Sequence, residues 1–326
     1  MAWDITYLTS IAARSFSGQL NLLPAGGSTV DTKHQLLALG LLKSDPDIRV
    51  VLYFHGTADC LASKQRPDNY RAIYAAAPDK IHVLSFDYRG YGLSSGTFSE
   101  EALLQDGIAA VQWALEVAGI PPSRIVIYGQ SLGTAVAFAL MQHYATLPEP
   151  VLFAGHVLTA SFSDVATLTA TYRIGGAIPV LSPLAKIPPL LAFFNSFLTN
   201  TWLSKDRITD FIRVREAAGT GQKYYINLIH AEDDSDIACE HSNVLFWHAV
   251  NASSATGQTL DQFNEQKLLT RKDLGRGGWV AEHNTSRGLV RQTMLKYGVH
   301  DKLMSYPVTS LAVLQAFQNA DPEFME

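Results

Sequence analysis

Short apolar segments alternate with helical patterns along most of this chain of 326 residues. The apolar segments are predicted to be buried strands, and strands separated by helices favour parallel pairing in a sheet covered on both faces. They run from Arg49 to Phe54, Ile81 to Asp87, Arg124 to Tyr128, His156 to Thr159 and Tyr224 to His230. The order predicts an α/β fold with a mainly parallel, doubly wound sheet.

Two helices are predicted beside the third strand. The first has apolar residues at helical spacing, and Thr97 with Glu100 forms a capping-box pattern at its start. Its apolar positions are Leu104, Ile108, Val111 and Leu115. The helix after the third strand is rich in alanine, which suits close packing on the sheet.

Two long segments interrupt the alternation. The segment 162–222 is apolar and proline-rich, and it falls where this architecture places a cap over its binding crevice. The segment from about 250 to 291 is polar and carries Gly275, Gly277 and Gly278. We therefore predict a core in two parts, 1–161 and 223–326, with the cap between them and the polar insertion in the second part.

The motif Gly129-Gln130-Ser131-Leu132-Gly133 lies between an apolar strand and a predicted helix. A serine hydroxyl is a weak nucleophile by itself and must be presented to a base on a sharp turn, and flanking glycines permit such a turn. A strand, this motif and a helix together are typical of a nucleophile elbow. The pattern predicts Ser131 as a nucleophile.

His55-Gly56-Thr57 follows the first predicted strand. In a serine nucleophile fold this position supplies half of the oxyanion hole, and the residue after the nucleophile supplies the other half. The backbone N–H groups of Thr57 and Leu132 are the predicted donors. His55 itself is expected to satisfy local backbone groups rather than to act as the base.

The run His230-Ala231-Glu232-Asp233-Asp234-Ser235-Asp236 follows the last of the five strands and offers several carboxylates for orienting a base. Spacing alone does not choose between Asp233, Asp234 and Asp236. Only one of them can hold the base in place.

Four histidines lie downstream of the acidic run, where the chain order of such triads places the base. His241 and His248 fall in a predicted helix, and His283 falls in the polar insertion. His300 lies in a predicted loop between the apolar run 288–295 and the last helix. The base is expected in that loop, so His300 is the predicted candidate.

These motifs resemble the α/β-hydrolase fold, in particular the abhydrolase-domain lipases of the monoacylglycerol lipase and lysophosphatidylserine lipase branch. The marks are Tyr-Phe-His-Gly at 53–56, Phe-Asp-Tyr-Arg-Gly-Tyr-Gly at 86–92, Gly-Gln-Ser-Leu-Gly at 129–133 and His-Ala-Glu-Asp-Asp at 230–234. The resemblance implies Asp234 as the triad acid and His300 as the base. It also implies Thr57 and Leu132 as oxyanion donors, although Thr57 is followed here by Ala-Asp-Cys instead of a glycine.

The apolar cap predicts a lipophilic acyl ester or thioester as substrate. Candidate contacts are Leu191, Phe193, Phe194 and Phe197. The reaction is expected to pass through an acyl-serine and to need neither cofactor nor metal. Two alternatives stay open: a biosynthetic thioesterase, cyclase or acyltransferase using the same acyl-enzyme, and a catalytically silent ligand-binding protein on the same scaffold.

Composition restricts the partners and the compartment. A net charge of -5 and a pI near 6.0 disfavour nucleic acid. Cys60 and Cys239 are too few for a disulfide framework, and residues 1–18 lack the apolar core of a signal peptide, so a cytoplasmic protein is expected rather than a secreted one. The stretch 267–296 carries seven basic and two acidic residues, which allows peripheral contact with a membrane.

Overall fold

The structure is a computed structural model that describes residues 39–57, 60–63, 65–174, 178–179, 187–218, 221–254 and 256–325. Within these ranges the centre of the molecule is a sheet of eight strands in the order β2-β1-β3-β4-β7-β10-β9-β8. A separate two-stranded pair, β5-β6, lies outside that sheet. Residues 1–18, for which the sequence predicts no signal peptide, lie outside the described ranges.

Six strands of the large sheet run parallel, and the last two strands at one side of it are antiparallel to their neighbours. The parallel strands are β1 (Arg49–Phe54), β2 (Ile81–Ser85), β3 (Ile125–Gln130), β4 (Gly155–Thr159), β7 (Tyr224–Ala231) and β10 (Gly288–Leu295). The antiparallel strands are β9 (Gly278–Asn284) and, at the edge, β8 (Lys272–Asp273), and the small pair is β5 (Arg173–Ile174) with β6 (Ile178–Pro179).

Helices connect the strands and cover both faces of the sheet. They are α1 (Arg66–Tyr74), α2 (Glu100–Gln112), α3 (Leu132–Ala145), α4 (Val165–Thr171), α5 (Pro188–Asn195), α6 (Ser204–Ala217), α7 (Glu240–Ser253), α8 (Leu260–Thr270), α9 (Val299–Lys302) and α10 (Pro307–Ala320). The core therefore has two layers, one on each face.

The two layers can be traced from a single strand. In β1, Val50, Leu52 and Phe54 belong to the layer under α2, α3, α6 and α7, whereas Val51 and Tyr53 belong to the layer under α1 and α10. Successive side chains of a strand point to opposite faces, so a strand covered on both sides is apolar throughout. The predicted mainly parallel, doubly wound fold is confirmed.

Some local predictions need correction. The N-cap of α2 is Ser99, whose side chain accepts from the N–H of Ala102, rather than Thr97. The stretch 250–291, predicted as a polar insertion, contains α8 and adds β9 and the edge strand β8 to the main sheet. His300 lies in the one-turn helix α9 rather than in a loop.

The segment between β4 and β7 contains α4, the β5-β6 pair, α5 and α6. Its last helix buries Ile208, Phe211 and Ile212 in the main core, whereas α5 carries exposed apolar side chains. In the described part of the chain, no helix has the length and apolar character needed to cross a bilayer.

The carboxyl ends of four parallel strands position the candidate site. Thr57 follows β1, Ser131 follows β3, Asp234 follows β7 and His300 follows β10. Because parallel strands end at the same edge, residues far apart in sequence meet there.

Candidate active site

Ser131 occupies a sharp turn between β3 and α3. Its backbone has φ 51° and ψ −118°, a conformation that a side chain other than glycine rarely adopts. The flanking glycines allow the turn: a Cβ at Gly129 would lie 2.6 Å from the carbonyl oxygen of Gly133, and one at Gly133 would lie 1.9 Å from that of Phe54. The elbow predicted from the sequence is therefore present.

His300 links Ser131 to Asp234. Its Nε2 lies 3.0 Å from Ser131 Oγ, and its Nδ1 lies 2.9 Å from Asp234 Oδ2. A carboxylate only accepts hydrogen bonds, so Nδ1 carries a proton and Nε2 of the neutral ring is left to accept from the serine hydroxyl. Burial disfavours the charged ring, but the hydrogen bond and charge of Asp234 prevail and raise the pKa of His300.

The carboxylate of Asp234 is buried and its acceptor sites are occupied. Oδ1 accepts from the backbone N–H groups of Asp236 at 3.0 Å and Ile237 at 2.9 Å. Burial alone raises the pKa of this carboxyl, but hydrogen bonds from His230 and His300 outweigh it and hold the pKa well below its usual range. Of the three candidates left open by spacing, Asp234 is the one that contacts His300.

His230 is a second partner of Asp234 that the sequence argument missed. The His230 side chain is fully buried, and Nε2 lies 3.2 Å from Asp234 Oδ2 and 3.0 Å from the carbonyl oxygen of Ile237. Two acceptors beside one ring nitrogen require that Nε2 carry the proton. Its Nδ1 lies 2.6 Å from Ser242 Oγ, which fixes the ring from the other side.

Asp233 holds the chain that carries His300. Its Oδ1 accepts from the backbone N–H groups of Gly298 at 2.8 Å and Val299 at 2.9 Å. Asp236 contributes its backbone, through the N–H given to Asp234 and a carbonyl that accepts from the N–H of Arg173. The three aspartates that spacing could not rank therefore have three different environments.

The loop after β1 passes close to the nucleophile. A Cβ at Gly56 would lie 3.3 Å from Ser131 Cβ, so the Gly56–Thr57 peptide borders the serine. The Gly56 carbonyl accepts from His55 Nδ1 at 2.8 Å and from Arg66 Nη2 at 3.0 Å. In a trans peptide the carbonyl and the next N–H point in opposite directions, so these two donors also fix the direction of the Thr57 N–H.

The second predicted oxyanion donor, Leu132, is the first residue of α3 and directly follows Ser131. Its side chain is buried. N–H groups at a helix start lack intrahelical partners and form the positive end of the helix dipole. Both sequence-predicted donors, Thr57 and Leu132, therefore belong to segments that adjoin Ser131. Residues 58 and 59, where the chain departs from the family pattern, lie outside the described ranges.

The other candidate histidines contact residues other than Ser131. His55 packs against Tyr88, and burial lowers its pKa to about 3, so it is neutral and structural as expected. His241 contacts Ser163 and Thr171, His248 contacts Thr209, and His283 contacts Ser253.

The cap candidates differ in their surroundings. Leu191 is half-buried, and Phe193 and Phe197 are exposed with their rings 5.2 Å apart at nearly a right angle. The side chain of Phe194 lies outside the described part of the structure. The cap reaches the acidic loop, because the N–H of Arg173 donates to the carbonyl of Asp236.

Residues 51–283 match the alpha/beta hydrolase family. Human protein ABHD12B is 29% identical over 203 residues, which are 62% of this chain and 50% of that protein. Lysophosphatidylserine lipase ABHD12 of Xenopus tropicalis is 28% identical over 232 residues, 69% of this chain and 52% of that protein. Protein bem46 of Schizosaccharomyces pombe is 29% identical over 187 residues, 57% of this chain and 54% of that protein.

The chain thus spans about half the length of the curated relatives it matches. Among solved structures, the Pyrococcus furiosus esterase Pf2001 superposes with a TM-score of 0.50 at 15% identity, covering 84% of this chain and 81% of that chain. A likeness at that identity shows the fold alone. The family match covers most of the chain and agrees with the sheet order and the elbow, so the chain belongs to the alpha/beta hydrolase family.

Proposed function

We propose that this chain is a serine hydrolase that cleaves carboxylic esters through an acyl-serine intermediate. The observation that carries the proposal is the continuous contact from Ser131 Oγ to His300 Nε2 at 3.0 Å and from His300 Nδ1 to Asp234 Oδ2 at 2.9 Å. Ser131 would be the nucleophile, His300 the general base and Asp234 the acid that orients the base.

In the first half-reaction His300 takes the Ser131 proton while Oγ bonds to the ester carbonyl carbon. The tetrahedral intermediate then expels the alcohol, which receives that proton from His300. Water repeats the sequence on the acyl-serine: His300 removes one proton from water, the oxygen bonds to the carbonyl carbon, and Ser131 leaves with the proton restored. The negative charge of Asp234 stabilises the imidazolium in both halves.

The oxyanion formed in each half would be bound by the N–H groups of Thr57 and Leu132. The pinned Gly56 carbonyl and the helix start at Leu132 support this assignment. Donors fixed before the substrate arrives stabilise developing charge without having to reorganise.

The proposed substrate is a lipophilic acyl ester such as a monoacylglycerol or a lysophospholipid. The exposed phenylalanines of the cap, Phe193 and Phe197, support an apolar ligand. Relatives of which this chain covers about half carry the name lysophosphatidylserine lipase. Leu191 and Phe194 are included in the proposed acyl contacts. The free cysteines Cys60 and Cys239 support the proposed cytoplasmic location.

Labelling with a fluorophosphonate probe tests the nucleophile. We expect the wild type to be labelled and Ser131→Ala to be unlabelled. Ser163→Ala is the matched control, because Ser163 Oγ also lies beside a histidine, 3.0 Å from His241 Nδ1, yet it is fully buried. An unlabelled wild type, or label retained in Ser131→Ala, would overturn the proposal.

A substrate panel tests the acyl group. We expect kcat/KM to rise with acyl length along a series of p-nitrophenyl esters, and Phe193→Ser and Phe197→Ser to reduce it for long chains only. Monoacylglycerols, lysophospholipids and acyl thioesters compared side by side would then assign the group attached to the acyl chain. A strict preference for acetate would contradict the lipophilic substrate.

A further inference from the structure

A short exposed segment at residues 268–276 carries leucines on the protein surface. It comprises the end of α8, the strand β8 and the turn before β9. Leu268 is 59% exposed, Leu269 is 87% exposed and Leu274 is 50% exposed. Three large apolar side chains exposed within seven residues are more than the isolated exposed leucine that a protein surface normally shows.

Basic residues are interleaved with these leucines. Arg271, Lys272 and Arg276 are all exposed, and Asp273 is the one acidic residue of the segment. The segment is therefore basic in a chain whose formal net charge is -5. Lys272 remains 78% exposed although it lies 3.6 Å from Glu282.

The segment lies at the same edge of the sheet as the candidate active site. Gly278, at the start of β9, pairs with Leu295 at the end of β10, and the N–H of Lys296 donates to the carbonyl of Gly277. Tyr297, which is 67% exposed, comes next and is followed within three residues by His300. Leu274, whose N–H donates to the carbonyl of Gly278, therefore borders the rim that carries His300, and Leu268 and Leu269 precede it in the same segment.

The segment is also firmly attached to the body of the protein. Lys267, immediately before it, is buried, and its Nζ donates to Asn243 Oδ1 at 2.8 Å. The same ammonium lies 5.3 Å from the ring centres of Phe263 and Trp279. The leucines that follow are thus held at the surface at a fixed position instead of folding back into the core.

We propose that residues 268–276 are a docking surface for a lipid bilayer or micelle with anionic headgroups. Leucine side chains gain free energy on entering an acyl phase, and arginine and lysine beside them are attracted to anionic headgroups. Nucleic acid would attract the basic residues of this segment but would provide no apolar phase for its leucines. A second copy of the same segment offers the apolar contact but repels its charge.

Docking in this way would place the active-site edge against the lipid surface. An ester leaving the bilayer would then reach Ser131 without crossing bulk water. The inference concerns binding, so it can be tested without catalysis and does not depend on Ser131 being the nucleophile.

Cosedimentation with vesicles tests the docking. The full chain carrying Ser131→Ala is mixed with vesicles of phosphatidylcholine alone or of phosphatidylcholine with phosphatidylglycerol. We expect markedly stronger partitioning onto the phosphatidylglycerol vesicles, weakened by added salt. The triple variant Arg271→Gln, Lys272→Gln, Arg276→Gln should lose about fivefold in partition coefficient per charge, or about 100-fold in all.

Leucine variants test the apolar half. Leu268→Ser with Leu269→Ser should lower partitioning onto both kinds of vesicle by about tenfold or more. The matched controls are Leu311→Ser, an exposed leucine on α10, and Lys43→Gln, an exposed lysine before the amino end of β1. Both controls should bind like the parent, and thermal unfolding should show that every variant is folded.

Three results would overturn the docking surface. They are equal binding to the two kinds of vesicle, partitioning that the segment variants leave unchanged, and self-association of the free protein that Leu269→Ser abolishes. The same substitutions are also made in the chain that retains Ser131. These variants should hydrolyse a water-soluble ester at the rate of the unsubstituted chain. Loss of vesicle binding with retained hydrolysis, or the reverse, separates this inference from the proposed function.

Discussion

The backbone N–H of Val299 donates a hydrogen bond of 2.9 Å to Oδ1 of Asp233. The same oxygen accepts from the N–H of Gly298 at 2.8 Å. Val299 has φ 42°, a conformation that is unfavourable for a β-branched residue, and it directly precedes His300. One carboxylate oxygen thus stabilises a strained backbone beside the candidate base, which makes Asp233 a positioning residue.

Removing that acceptor should displace His300. Asp233→Ala is expected to reduce kcat by about 100-fold, because a displacement on the order of 1 Å is enough to spoil proton transfer. Asp233→Asn keeps an oxygen acceptor and should retain most of the activity. Steady-state kinetics on a soluble ester measure both, and a similar loss in the two variants would show that charge rather than position is what Asp233 supplies.

Arg66 is expected to position the oxyanion donor. It donates to the carbonyls of Gly56 and Cys60 from a buried position, and the Gly56 bond sets the direction of the Thr57 N–H. Arg66→Met should lower kcat about tenfold with little change in KM, because His55 still holds the Gly56 carbonyl. The fluorophosphonate labelling rate should fall in parallel.

Arg66→Lys is the matched variant, since it keeps the charge and can reach one carbonyl but not both. Its kcat should lie between those of the parent and Arg66→Met. A rise in KM at constant kcat would instead indicate that Arg66 serves substrate binding. Circular dichroism and thermal unfolding would show whether the loss follows from unfolding.

The pH dependence of activity should report His300. The base acts as the neutral ring, and Asp234 raises the pKa of that ring above 6.5, so kcat/KM should fall as pH decreases through the raised pKa. Asp234→Asn should reduce activity by about 10⁴-fold and move the acidic limb of the remaining activity to lower pH. Asp236→Asn should leave both the rate and the limb in place.

The linkage to stability has the opposite direction. Because the pKa of His300 is raised in the folded state, its protonation stabilises the fold fully below pH 6.5. That contribution is lost as pH rises through the raised pKa. Denaturant unfolding of wild type and Asp234→Asn across this range would measure it. In the pH profile of activity, an acidic limb at the same pH in wild type and Asp234→Asn would contradict the assignment of His300 as the titrating base.

The strands and the elbow can be predicted from the sequence because both depend on local residue patterns. Buried parallel strands are apolar throughout, and the turn at Ser131 excludes Cβ atoms at both flanking glycines. The triad order then indicated His300 and the family pattern Asp234, and the structure places the two within 2.9 Å. Their catalytic roles remain a proposal.

Other parts of the site left no pattern to find. Asp233 accepts backbone N–H groups some 65 residues away, and backbone donors have no residue signature. The edge strand β8, Lys272–Asp273, is polar and exposed, so it lacks the apolar run by which a buried strand is found. The predicted N-cap of α2 at Thr97 is wrong because Ser99, two residues later, also carries a hydroxyl that can cap the helix.

Lys267 should make stability depend on alkaline pH. Its ammonium is buried between Phe263 and Trp279, and burial lowers its pKa from 10.5 to about 8. A group whose folded-state pKa is lowered contributes stability above its unfolded value, and that contribution is lost as pH falls through the folded value. The free energy of unfolding should therefore decrease between about pH 10.5 and pH 8.

Lys267→Met tests this with a side chain of similar shape that carries no charge. Asn243 Oδ1 still accepts from Gln292 Nε2 at 2.8 Å, whereas the buried Gln292 Oε1, 3.5 Å from Lys267 Nζ, would lose that donor. We expect the variant to gain about 1 kcal/mol in free energy of unfolding at pH 7 and to lose the pH dependence. Urea unfolding at neutral and alkaline pH measures both, with exposed Lys43→Met as the control that should change neither. A variant much less stable than wild type at neutral pH would show that the hydrogen bond to Asn243 outweighs the cost of burying the charge.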